Sequence, residues 1–190
     1  MDISLNGKTL FSVSERGKWM IVRQENEKDQ ESVYEVVKSA FATLEISNHD
    51  EQDLVTRLRK SASFVPELSL VAEEYGEIVG YILFTEMKAG KKVLLALAPL
   101  AVRPDRQNQK IGSGLVEAGH KIAREKGYKG CIVVGHADYY PKFGYQPASN
   151  YGITAPFEVP DENFMAIEFL AGSLNDVSGT IEYAKEFFEQ

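Results

Sequence analysis

The sequence predicts a mixed α/β fold, one domain in which helices pack against a central sheet. Three observations lead there. Apolar residues fall into the order strand, two helices, hairpin, strand, helix, strand. Residues 93–136 read as a strand–turn–helix–strand unit. The length, 190 residues, is enough for one substantial core and short for two.

Each element has its own signal. Residues 1–19 have no strong period and read as an N-terminal extension, with an added strand through Thr9–Val13 as the open alternative. Met20–Arg23 reads as a short strand. Asn26 is placed to cap a helix whose apolar residues Val33, Val36, Val37, Ala40 and Phe41 recur at helical spacing. The polar break Ser47-Asn48-His49-Asp50 precedes a second helix with Leu54, Val55 and Leu58 on one face. A hairpin follows, Leu68–Glu73 and Ile78–Phe84, turning at Tyr75-Gly76. Val93–Val102 is a third strand. Pro99 lacks the N–H that a ladder needs, so the strand is expected to bulge there. Ile111–Lys126 reads as a helix with Leu115, Val116, Ile122 and Ala123 on its apolar side and Gly127 as its stop. Cys131–Val134 is a buried strand, Phe164–Leu170 another, and Ile181–Phe188 is expected to close the chain as a helix in a tail over 171–190.

Composition narrows the function classes. The net charge of −7 argues against a nucleic-acid or anionic-membrane partner, since both need clustered Lys and Arg. No apolar stretch approaches the roughly 20 residues of a membrane span. The first nineteen residues carry Lys8, Glu15, Arg16 and Lys18 without the apolar run of a secretory signal, so a cytoplasmic, reduced setting is expected. Cys131 is the only cysteine, which excludes an intrachain disulfide and a cysteine zinc cage. It reads as a small buried hydrophobe; the rival reading, a nucleophile, would look to His136. Three scattered histidines make no metal site, so no metal is expected. The chain has neither Gly-x-x-x-x-Gly-Lys-Ser/Thr nor Gly-x-Gly-x-x-Gly after a strand.

The segment Ala101–Leu115 carries the chemistry. A strand ends, a polar loop follows, and a helix opens at Ile111. The first N–H groups of a helix have no intrahelical partner, and together with the positive end of the dipole they attract anions. Gly112 lets a phosphate approach the backbone closely. On physics alone this is a candidate phosphate site.

Val102-x-Pro104-x-x-Gln107 followed by Ile111-Gly112-x-x-Leu115 resembles the acetyl-CoA motif of the GNAT superfamily of N-acetyltransferases. The resemblance implies a splayed central sheet flanked by helices and a cofactor loop over Gln107, Asn108, Gln109, Lys110, Ile111, Gly112 and Ser113. In that register Lys110 and Asn108 stand where family members carry glycine. Lysine either turns outward or pairs with phosphate, or it crowds the loop. Val93–Val102 resembles the family strand that bulges beside the cofactor, which gives the backbone of Leu100 and Val102 to pantetheine and the acetyl carbonyl. Tyr139-Tyr140-Pro141-Lys142-Phe143-Gly144-Tyr145 resembles the family segment whose tyrosine protonates the departing thiolate; that position is Tyr140, and Tyr139 reads as structural. The likeness covers roughly residues 20–146 within a domain placed at 20–170.

The reaction so implied is direct attack of an amine on acetyl-CoA, used as co-substrate. The base is open among Glu73, Glu74, Glu86 and Glu117, with His136 best placed at a strand end and a structural role for it also open. His49 and His120 have no assigned partner. The acceptor is some amine, its wall drawn by analogy from the loop at 41–50 and the C-terminal third. A homodimer is possible. The competing reading is a cofactor-binding or regulatory module with the same fold and little transfer.

Overall fold

The structure, a computed structural model, describes residues 2–5, 8–15, 18–44 and 48–189, with side chains from Met20 onward. Ser47, part of the expected polar break, lies outside the described residues, as do Met1, Asn6, Gly7, Arg16, Gly17, Glu45, Ile46 and Gln190.

Among the described residues eleven strands form the sheet: β1 (Asp2–Leu5), β2 (Lys8–Glu15), β3 (Lys18–Gln24), β4 (Phe64–Glu74), β5 (Glu77–Ala89), β6 (Lys92–Val102), β7 (Gly130–Val134), β8 (Gln146–Pro147), β9 (Ile153–Thr154), β10 (Phe164–Glu168) and β11 (Gly179–Glu182). The main path runs β1-β2-β3-β4-β5-β6-β7-β10-β8, and β11 joins β5 and β9. Thr9–Val13 therefore runs inside a strand that pairs with β3, rather than in an unpaired extension.

Among the described residues three α-helices flank the sheet: α1 (Gln30–Phe41), α2 (Glu51–Leu58) and α3 (Ile111–Glu125). Asn26 caps a 3-10 turn, Glu27–Asp29, which leads into α1; its side chain accepts from Lys28 N–H while Asp29 returns to the Asn26 N–H. Arg23 of β3 reaches both Asp29 (2.6 Å) and Glu73 of β4 (2.8 Å), tying that turn to the sheet.

The pleat decides which helix lies on which face. Ile82 and Phe84 of β5 pack with Ile111 and Leu115 of α3, while Tyr81 and Leu83 pack with Val33 and Val37 of α1. Two glycines let α3 lie close. A Cβ on Gly119 would stand 2.2 Å from the Phe84 ring, and one on Gly80 would stand 2.9 Å from Ile111. Gly127, at φ +82°, ends the helix as its residue type predicts.

Two features open the sheet. β6 and β7 are parallel and pair only from Leu95–Cys131 to Leu97–Val133. Beyond that, Phe84 faces Leu97 but Ile82 faces Leu100, so β6 advances three residues against two on β5. The bulge holds Ala98 and Pro99, where proline predicts it.

The expected helix at 181–188 is corrected. Ile181 pairs with Ala89 of β5, and a single 3-10 turn, Lys185–Phe187, follows. Long-range pairing with the far end of β5 outweighs the local apolar pattern.

Candidate active site

The split between β6 and β7 leaves one side of β6 unshared. Arg103 N–H donates to the Val79 carbonyl (2.9 Å), and Ala101 lies opposite Tyr81. Backbone groups alternate sides along a strand, so those of Ala101 face β5 and those of Leu100 and Val102 face the gap. The Val102 carbonyl accepts from Gln107 Nε2 there (3.3 Å).

The loop from Arg103 to Lys110 ends at the start of α3. Asn108 (φ +59°) and Lys110 (φ +62°) are both left-handed. The latter turn aims the chain into the helix, whose first i→i−4 bond joins Gly114 N–H to the Lys110 carbonyl (3.0 Å). The N–H groups of Ile111, Gly112 and Ser113 precede that ladder. The Ile111 side chain is buried against Gly80, so only its backbone faces outward chemistry. Arg103 is held by Asp105 (2.7 Å) and Glu77 (3.0 Å), and Arg106 by Glu74 (3.2 Å), which fixes the loop on the β4–β5 turn.

Gly112 is where the segments meet. A Cβ there would stand 2.6 Å from the Tyr139 hydroxyl, 3.6 Å from Val102 and 3.7 Å from Leu100. Helix start, β6 edge and the tyrosine segment therefore converge on one residue. Residues 66–147 match the family model of the acetyltransferase (GNAT) domain.

Over that stretch the chain is similar to GNAT acetyltransferases.

YjhQ of Escherichia coli K12, named as an uncharacterized N-acetyltransferase, is 39% identical over 118 residues, which span 60% of this chain and 65% of that protein, less than two thirds of its length. A GNAT family acetyltransferase of Brucella melitensis, solved with acetyl-CoA, is 29% identical with a TM-score of 0.75, over 88% of this chain and 97% of that one. E. coli YhbS, solved with CoA, is 24% identical and shares the fold at a TM-score of 0.83, over 93% and 96%.

Within the matched stretch Tyr140 opens a 3-10 turn, Tyr140–Phe143, and is buried beside Gly135. Its ring meets Tyr139 at 5.1 Å and Tyr145 at 5.5 Å. Burial, with Tyr139 a lesser cause, raises its phenol above the ordinary value and keeps it protonated. Tyr139, structural by sequence, has its hydroxyl at the helix start beside Ser113; burial raises it and the Ser113 hydrogen bond opposes that. The tandem Tyr139-Tyr140 was its only signal. His136 is exposed on the loop after β7, its carbonyl accepting from Tyr139 N–H (3.0 Å). Cys131 is fully buried, its thiol pushed up to about 12, chiefly by burial, and it is no nucleophile.

Three carboxylates weighed as bases are engaged. Glu73 holds Arg23, Glu74 holds Arg106, and Glu86 accepts from the Tyr128 hydroxyl (2.7 Å). Glu117 lies exposed on α3. Among the described residues no group of His, Cys, Asp and Glu could hold a metal, and no helix is long and apolar enough to cross a membrane.

A cavity of about 830 Å³ lies on the other side of the split. It is lined by Leu97, Ala98 and Val134, by α2 and the residues before it, and by an aromatic wall of Phe157, Tyr183 and Phe187. Arg57 donates to Asp50 (3.2 Å) and to the Glu186 carbonyl (3.3 Å). Composition hints at this wall only through the aromatic tail Tyr183, Phe187 and Phe188.

Proposed function

We propose that the protein is an N-acetyltransferase that moves the acetyl group of acetyl-CoA to a primary amine by direct attack. The observation that carries the reading is the convergence at Gly112 of the unshared β6 edge, the free N–H groups of α3 and the tyrosine segment. The acetyl-CoA complex of the Brucella relative supports it. We place the reaction in the cytoplasm, within a catalytic domain at 20–170.

In this reading the pyrophosphate lies on the N–H groups of Ile111, Gly112 and Ser113, with Gln107, Asn108, Gln109 and Lys110 lining its approach. Pantetheine continues along β6, and the backbone of Leu100 and Val102 orients it and the acetyl carbonyl. The neutral amine forms a C–N bond to the thioester carbon, and backbone N–H groups hold the oxygen as it gains charge. The C–S bond then breaks, the sulfur takes a proton from Tyr140, and the amine gives its proton to His136. Transfer is thus balanced without a second cofactor.

The test is calorimetric titration with acetyl-CoA, CoA and ATP, followed by assay of thiol release with an amine panel. Acetyl-CoA is expected to bind in the micromolar range, on the order of −8 kcal/mol, with no heat from ATP. Tyr140→Phe is expected to bind equally and to lose about 100-fold in kcat. No binding at millimolar acetyl-CoA would overturn the reading. Binding without thiol release from any amine would favour a cofactor-binding module.

A further inference from the structure

The cavity at the split has a lining of two kinds, and the charged part of it is already engaged within the protein. Asp50 accepts from Arg57 (3.2 Å), which also donates to the Glu186 carbonyl (3.3 Å). Asp53 accepts from Gln52 (3.1 Å) and from the Tyr34 hydroxyl (3.3 Å). Glu189 pairs with Lys185 (3.2 Å), and Glu51 is not free either. A ligand with a charge besides its reacting amine would have to displace one of these partners, and exchanging one such pair for another gains little.

The apolar part of the lining is what remains to be covered. Seven large hydrophobic side chains are exposed among the described residues, and three of them, Val134 (44%), Phe157 (41%) and Phe188 (62%), line this one cavity. Tyr183 joins the two phenylalanines into one cluster: it stacks on Phe157 at 5.9 Å and meets Phe188 at 6.4 Å. Exposed apolar side chains gathered in a concavity mark a place where a ligand's apolar surface leaves water. The volume, about 830 Å³, lies within the roughly 300–1,000 Å³ of small-molecule sites and far exceeds what a bare short-chain amine fills. Ala98 and Val134 set the other end. They directly follow Leu97–Val133, the last pair of the parallel ladder, so the cavity begins where β6 and β7 part.

We infer that the acceptor is an apolar monoamine, its one primary amine at the sheet split and its bulky uncharged group seated in the cavity against Val134, Phe157 and Phe188. This rests on the transferase reading for its reactive end. The apolar seat itself rests on the cavity.

The test compares hexylamine and 2-phenylethylamine with ethylamine, which lacks the apolar bulk, and with 1,6-diaminohexane and 6-aminohexanoate, which add a charge to it. Thiol release is followed with acetyl-CoA, and binding is followed by calorimetry on the CoA-loaded protein, where nothing turns over. Wild type is expected to prefer both apolar amines over each of the other three by at least about tenfold in kcat/KM, about 1.4 kcal/mol. Their advantage over ethylamine should persist as salt rises, since no second charge is involved. Phe157→Ala combined with Phe188→Ala should reduce that advantage to about threefold or less, mainly through KM. Both rings are part-exposed and lie outside the buried core, so the fold is retained. Phe157→Leu, which keeps apolar bulk at the position, should keep most of the advantage. If the apolar amines bind and no amine is acetylated, the transferase reading fails and the apolar seat stands. If ethylamine, the diamine or the amino acid is acetylated as well as hexylamine, or if the double variant keeps the full advantage, the inference fails and the transferase stands. Failure of both apolar amines to bind at millimolar concentration overturns the inference whatever the transfer assay shows.

Discussion

Lys110 holds backbone angles of φ +62° and ψ +8°, where a Cβ crowds the following carbonyl at a cost of about 1–2 kcal/mol. Asn108 does the same at lower cost, since its short amide tolerates the left-handed region. Both are positions at which the sequence departs from glycine, and the structure shows why glycine suits them. The loop must turn twice with positive φ to aim the α3 N–H groups outward. Lysine therefore keeps the turn and accepts its strain. Lys110→Gly relieves that strain but adds freedom to the unfolded chain, so stability is expected to change by less than about 1 kcal/mol. Acetyl-CoA affinity is expected to stay within about threefold of wild type by calorimetry, near RT ln 3 or about 0.65 kcal/mol. A large gain in affinity would mean that lysine crowds the loop after all.

At the scale of elements, α3 links the sheet to the loop, and its seat is set by what is missing from two residues. Gly119 sits under the buried Phe84 ring, and Gly80 under Ile111 and Leu115. Phe84 has no exposed side to move toward, so an added methyl must push the helix away. Gly119→Ala is expected to lower stability by about 1–3 kcal/mol in urea unfolding despite alanine's better helix propensity. Wild-type stability in the alanine variant would show that the ring can turn aside. This packing was not legible: a helical glycine in sequence reads as a tolerated weakness, and only the facing ring gives it a role. The bulge at Pro99 and the stop at Gly127 were legible, because each follows from the residue's own backbone chemistry. The C-terminal helix was misread because Ile181 and Glu182 serve a strand whose partner, β5, lies about ninety residues away.

For the whole molecule, the sheet split divides the site into a side open to sequence and a side hidden from it. The proposed cofactor side is one contiguous stretch, Leu100–Ser113, plus Tyr140, and it was the resemblance of these segments to a family motif that marked them in the sequence. The cavity at the split draws on α2, Phe157 and residues 183–189, segments that meet only through folding. His120 shows the same limit. It has no partner in sequence, yet in the core it meets the Tyr145 hydroxyl (2.9 Å) and the rings of Phe84 and Phe169. Burial first, and the Arg124 guanidinium second, push its pKa down to about 3, against about 6.5 in an unfolded chain. Between those values the unfolded state binds a proton that the native state refuses. Stability therefore rises with pH across that window and is lost as pH falls from about 6.5 toward about 3. His120→Gln keeps a polar group for Tyr145 and removes the titration. Other acidic and basic groups titrate alike in both proteins, so the difference between them isolates His120. Urea unfolding at pH 7.5 and pH 5 is expected to show wild type losing about 2 kcal/mol more than the variant. Equal losses would mean that His120 is protonated in the native core, with Tyr145 accepting from it.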